Sequence, residues 1–309
     1  MTLSALGIFS AAGAFARIPG VAGYFAGGNS AGRVDTVNKF AFPADTRTTL
    51  GTGISSARDG LAAMANFAVA GYVGGGETSG YVATVDKFAF PADTRTILGT
   101  GLSSSRGFLG AMANPAIAGY FGGGFTGSIV STVDKFAFPA DSRTTLGTGL
   151  SSTRYGAPGM ANPAVAGYFG GGFTGSRVDT VDKFAFPGDT RTTLASGLSS
   201  ARDASGAMSN SGVAGYFGGG STPTLVTTID KFAFPSDTRS TLGTGLSAAT
   251  NNLAGMANSD VAGYLGGGSD GSAVSTVNKI AFPSDTRTTL ATGLSANRTN
   301  LSAMADGGL

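Results

Sequence analysis

Five arginines recur at one position of a repeating pattern: Arg58, Arg106, Arg154, Arg202 and Arg298, with Thr250 in the one remaining copy. Guanidinium groups gathered at one end of a ring would bind an anion, or the carboxylate of a glycan, through charge-assisted hydrogen bonds. A second recurrence is an acid two residues before an arginine: Asp45/Arg47, Asp93/Arg95, Asp141/Arg143, Asp189/Arg191, Asp237/Arg239 and Asp285/Arg287. A feature shared by every copy serves the copy itself, so this one is expected to be a turn with an inter-unit ion pair. The lysines Lys39, Lys87, Lys135, Lys183, Lys231 and Lys279 fall under the same argument. Differences among the copies are better guides to function. They cluster in the loop after a triple glycine, which carries Tyr81, Phe125, Phe173 and Arg177. They also lie just beyond the arginine series, at Asp59, Gly107, Tyr155, Asp203, Asn251 and Thr299. The expected contact surface is therefore Tyr81, Phe125, Phe173 and Arg177, together with the five arginines.

Other chemistry is excluded by composition. Cys, His and Trp are absent, Gln is absent, and Glu77 is the single glutamate. Thiolate and imidazole metal ligands, Ser-His-Asp and Cys-His catalysis and a histidine switch are thereby removed. The triple glycines are followed by no Gly-Lys-Ser/Thr and no helical pattern, so they read as strand ends rather than phosphate cradles. No asymmetric aspartate pair stands out for hydrolysis. Neither catalysis, nor a cofactor, nor a metal is expected. Charged residues make up 12%, and the net charge is +2 without a basic run, which argues against nucleic acid. No run approaches the ~18 apolar residues of a spanning helix, so membrane insertion is not expected.

The elements that must position these residues follow from the repeat. Gly-Tyr-Phe-Gly-Gly-Gly and close variants return every 48 residues, marked by Tyr24, Tyr72, Tyr120, Tyr168, Tyr216 and Tyr264. In the copy 115–162, Ala118–Phe121 reads as a short apolar strand stopped by Gly122-Gly123-Gly124. Thr132–Phe138 is a second strand, with Phe136 and Phe138 on one face and Val133, Lys135 and Ala137 on the other. Pro139-Ala140-Asp141-Ser142 is turn chemistry. Arg143–Leu146 is a third strand, and a fourth apolar segment ends at Met160. Four short strands per copy and no helical period predict an all-β fold, a six-bladed β-propeller with four antiparallel strands per blade. The copies fall near 19–66, 67–114, 115–162, 163–210, 211–258 and 259–306. Closing six blades into a ring removes the exposed sheet edges that a linear solenoid would keep.

The order double glycine (Gly122-Gly123), aromatic before a Pro/Asp turn (Phe138-Pro139-Ala140-Asp141), then Arg154 resembles the kelch repeat, over residues 19 to about 306. The resemblance implies a propeller in which this arginine is commonly structural. The usual third-strand Trp is missing, and Leu50, Leu98, Leu146, Leu194, Leu242 and Leu290 are expected to fill that layer.

Residues 1–18 remain outside the copies. Thr2-Leu3 and Gly7–Phe15 look like a decayed copy of the region 49–64, so the segment is read as a degenerate extra strand or a docking arm. Its first basic residue is Arg17, so it lacks the start of a secretory leader. The expected setting is a virion, released by lysis, with the cytoplasm as the alternative. Near-identical blades of low charge, rich in Ser, Thr and Gly, look like those of bacteriophage virion proteins. A non-enzymatic structural or adhesive role follows, as tail fibre or spike, baseplate part or capsid decoration. Its partners would be other virion proteins, copies of itself or a cell-surface glycan. An intracellular kelch-type interaction module is the alternative.

Overall fold

The computed structural model describes residues 20–307, which form twenty-four strands in six four-stranded antiparallel sheets. In chain order they begin β1 (Ala22–Ala26), β2 (Val37–Ala41), β3 (Thr46–Thr49) and β4 (Ala62–Asn66). The pattern continues with β5 (Ala70–Gly74), β6 (Val85–Ala89), β7 (Thr94–Ile97) and β8 (Gly110–Asn114), and so on to β24 (Ser302–Ala305). The sheets are the blades of a six-bladed propeller.

The sequence copy and the blade are out of phase by one strand. The fourth segment of each copy is the innermost strand of the next blade, so one blade is β4-β5-β6-β7 from axis to rim. The innermost strands β4, β8, β12 (Gly159–Asn162), β16 (Gly206–Asn210), β20 (Ala254–Asn258) and β24 pack side by side in a closed circle about the axis. The first blade is completed from the far end of the chain: β24 pairs with β1, Tyr24 facing Met304 and Phe25 facing Ala303. That seat is thus held by the C-terminal strand. The proposed extra strand or docking arm, residues 1–18, lies outside the described residues.

The core lies between blades rather than within one. Phe121, Phe136 and Phe138 pack against Tyr72 and Val85 of the preceding blade, so Phe136 and Phe138 do share a face. Tyr120 and Val133 on the opposite face meet Phe169 and Phe184 of the next blade. The leucines Leu98 and Leu146 lie half-buried at the edges of these clusters. Close packing of sheet on sheet explains the invariant glycine before each Tyr. A Cβ on Gly119 would fall 2.2 Å from Sδ of Met64 in the neighbouring blade.

Each marker tyrosine clamps two blades. Its ring stacks on the Phe of the next blade's Phe-Pro turn at 5.1–5.5 Å, worth about 0.5–1.5 kcal/mol beyond its burial. Its hydroxyl donates to the turn aspartate there: Tyr24 to Asp93, Tyr72 to Asp141 and so round the ring to Tyr264 and Asp45, at 2.7–2.8 Å. The lysine paired across the strand from each tyrosine joins the same carboxylate, as Lys39 does Asp93 at 2.6 Å. The turn aspartates sit at φ near +56°, a left-handed conformation that Asp tolerates through local hydrogen bonding. The inter-blade ion pair exists, but its cation is the lysine of the blade before. The arginine two residues on instead leans over its own blade, as Arg95 does toward Asp86 at 3.4 Å.

Candidate functional site

The five arginines of the first series are 0–1% exposed. Arg58, Arg106, Arg154 and Arg202 each donate to a buried aspartate of the next blade, Asp86, Asp134, Asp182 and Asp230, at 2.7–2.9 Å. They therefore present nothing to an anion or a glycan carboxylate, and the expectation of an arginine-lined mouth is corrected. A guanidinium taken out of water needs a carboxylate and several acceptors, and the loop supplies both. Burial raises the Asp134 carboxyl, but Arg106 and hydrogen bonds from Ser103 and Thr145 outweigh it and hold the group below its ordinary range. Arg298 differs, because its partner is Asn38. It donates to Asn38 Oδ1, to Gly27 O at 3.0 Å and to Thr36 O at 2.9 Å. Burial, with Arg47 nearby and no counter-charge, pushes it down to about 10.

What the buried arginines do is fix the loop that follows them. Two residues beyond, the chain turns at the axis through positions 60, 108, 156, 204, 252 and 300. All six adopt φ between +53° and +63°. Their backbones form a closed hydrogen-bonded ring: Phe108 N donates to Gly60 O (2.6 Å), Gly156 N to Phe108 O (2.8 Å), Ala204 N to Gly156 O (2.9 Å). Asn252 N then donates to Ala204 O (2.7 Å), Asn300 N to Asn252 O (3.0 Å) and Gly60 N to Asn300 O (2.9 Å). Phe108 and Ala204 accept a left-handed conformation that costs about 1–2 kcal/mol. Each accepts one ring bond and donates another, net about 0.5–1.5 kcal/mol apiece. The two terms are of the same size, so the ring holds residues other than glycine.

Around this ring each blade adds a three-residue row of bridges. Asp59 pairs with Glu77 and Glu77 with Tyr81; equivalently Gly107–Phe125–Ile129, Tyr155–Phe173–Arg177, Asp203–Ser221–Leu225 and Asn251–Ser269–Ala273. The two variable regions of the sequence are thus one surface, at one mouth of the propeller. Its concavity of about 420 Å³ falls in the range of small-ligand pockets, roughly 300–1,000 Å³. One wall is aromatic: Tyr81, Phe108, Phe125 and Tyr155. Tyr81–Phe125 at 5.6 Å and Phe125–Tyr155 at 6.1 Å meet edge to face, and Phe108 tilts against Tyr155 at 6.1 Å. The other wall is polar: Arg177, Asp203, Ser221, Asn251, Asn252 and Asn300. Arg177 donates through Nε to Asp203 at 2.8 Å and through Nη2 to Ser221 Oγ at 3.0 Å. Its charge is spent on that carboxylate. Burial, with Asp203 adding and Arg177 opposing, pushes the Tyr155 phenol up, so it stays a neutral donor.

Of the expected surface residues, Tyr81, Phe125 and Arg177 line the concavity, while Phe173 lies behind, its ring tilted against Tyr155 at 5.5 Å. Phe108 was not singled out by sequence reasoning. The signal was present, since its position reads Gly, Phe, Gly, Ala, Asn, Asn round the ring. Among the described residues no group of three or more acidic side chains is placed to hold a metal ion.

The opposite mouth is uniform. The inner strands end there in Asn66, Asn114, Asn162, Asn210 and Asn258, whose Oδ1 atoms accept backbone N–H groups of the neighbouring turn at 2.8–3.1 Å. Val21, Val69, Ile117, Val165, Val213 and Val261 stand exposed around it. At the junction of β24 and β1 the asparagine is replaced by Asp306, which accepts from Val21 N at 2.7 Å and Ala22 N at 2.9 Å. Both ends of the described chain leave at this mouth. No protein-family model matches the chain, and no curated protein matches it in sequence.

Proposed function

We propose that this chain is a non-enzymatic adhesive propeller, built from kelch-like blades and displayed on a bacteriophage particle, with the aromatic mouth as its ligand-binding end. The observation that carries the reading is convergence. Side chains that differ between otherwise near-identical blades meet in one concavity, half aromatic and half hydroxyl and amide. A carbohydrate has the same two aspects, apolar C–H faces that stack on rings and hydroxyls that pair with Asn, Ser and Asp. Because Arg177 is neutralised by Asp203, the mouth favours an uncharged glycan over an acidic one. The kelch-like order of glycine pair, Phe-Pro-Asp turn and buried arginine supports the blade assignment. Low charge and near-identical blades support the virion setting. Many rings on one particle would bind with avidity.

Titration of neutral oligosaccharides into wild type and Tyr155→Ala tests this. Loss of a central aromatic contact of about 2 kcal/mol lowers affinity about thirtyfold. Equal binding by the two proteins would sink the glycan reading. Capture of a protein ligand at the same mouth, without glycan binding, would favour an intracellular interaction module. Imaging of the purified particle tests the virion setting separately.

A further inference from the structure

Thr250 stands where the other five copies place a buried arginine, and the cage around that guanidinium remains. In the adjoining blade Arg298 is held by Gly27 O, Thr36 O and Asn38 Oδ1. The equivalent residues Gly267, Thr276 and Asn278 line a cavity of about 20 Å³ beside Thr250. The cage keeps its own bonds: Ser247 N donates to Asn278 Oδ1 at 3.0 Å, as Ser295 N does to Asn38 Oδ1 at 3.0 Å. Thr250 turns its hydroxyl to Ala248 O at 2.9 Å, away from those acceptors. An arginine side chain exceeds a threonine by four heavy atoms, the number in a guanidinium ion. Ser247, Ala248 and Asp270, all exposed, also line the cavity and connect it with solvent.

Asp270 is the independent sign. Its counterparts are Ser30, Thr78, Thr126, Thr174 and Thr222, so the one carboxylate at this position lies beside the one cage without an arginine. We infer that the Thr250 cavity is a receptor for a guanidinium group brought from outside the blade, either a free guanidinium compound or an arginine side chain of another protein. The acceptors are neutral, as they are for Arg298, and Asp270 is the one charged group among the described residues that line the cavity, so binding is expected in the millimolar range. The inference is independent of the mouth.

Thermal melts of the intact chain in guanidinium chloride, against sodium chloride at equal concentration up to tens of millimolar, read the site directly. Below denaturing concentrations the guanidinium salt should raise the wild-type midpoint in a saturable way, by about 2–4 °C near tenfold excess over Kd. Thr250→Arg, which supplies its own guanidinium, should melt higher and lose the response. Asp270→Asn, an exposed change that leaves the fold intact, should weaken the response and keeps the test open if Thr250→Arg does not fold. An arginine-containing tripeptide amide forms the second arm: a response to the ion alone indicates a small guanidinium compound, and a response to both indicates an arginine side chain. Identical melts in the two salts, or equal responses in wild type and Asp270→Asn, would overturn the inference.

Discussion

The two mouths of the ring share one backbone and differ in how far their side chains have diverged. At one, the position after each buried arginine, or after Thr250 in its place, reads Asp, Gly, Tyr, Asp, Asn, Thr. At the other, the inner strands end in five asparagines and one aspartate. The asparagines are held by the backbone, because each one's amide oxygen satisfies an N–H that would otherwise be left unpaired. At the variable mouth the backbone satisfies itself through the six-membered ring and the bridge rows. Side chains there are released from structural duty. Self-sufficient backbone is what lets near-identical blades carry six different faces.

The comparison is tested most severely by removing a buried carboxylate that holds the loops of the variable mouth. Asp134→Ala strands the Arg106 guanidinium in the interior and should cost about 3–5 kcal/mol in urea denaturation. The same pair sets an acid limit. The folded-state value of Asp134 lies below its unfolded one, so its stabilisation is present above about pH 4 and fades as the pH falls through the lowered value. A stability unchanged by Asp134→Ala would mean that the arginine layer is not what fixes the mouth loops. A smaller effect, of opposite sign, is expected from Asn38→Asp. It gives Arg298 the counter-charge the other copies have and should raise the unfolding free energy by about 1–2 kcal/mol, read as a higher urea midpoint at unchanged slope. The smallest effect belongs to the uniform mouth. Val69→Thr, on an exposed turn, should shift stability by no more than about 0.5 kcal/mol and leave binding at the aromatic mouth unchanged. Weakened binding there would show that the two ends are coupled.

Most of the blade was legible in the sequence because strand alternation and turn residues are local. Thr132–Phe138 was read one residue long at each end of Val133–Ala137, and Arg143–Leu146 is one residue late for Ser142–Thr145. The phase of the blade was not legible, since a period of 48 looks the same wherever the cut is made. Partners across blades were also hidden. Lys39 and Asp93 are 54 positions apart, whereas Asp93 and Arg95 are neighbours in the chain that do not pair. The arginines read as a possible surface because sequence shows charge but not burial. Their aspartates Asp86, Asp134, Asp182 and Asp230 sit inside the apolar strand pattern, which was the available clue. Phe108 escaped notice because a bulky residue with positive φ is an exception that no local pattern announces.

The junction of β24 with β1 has a consequence in time. A ribosome delivers Tyr24 and Phe25 long before 302–305, the strand that covers them on the axis side. Five blades can assemble in order while the first stands three strands wide, its β1 edge open to any extended chain nearby. Nascent protein is then at its most adhesive just before β24 emerges. A truncation that stops short of Ser302 should therefore be prone to capture a strand from a neighbour, and a closed ring should not.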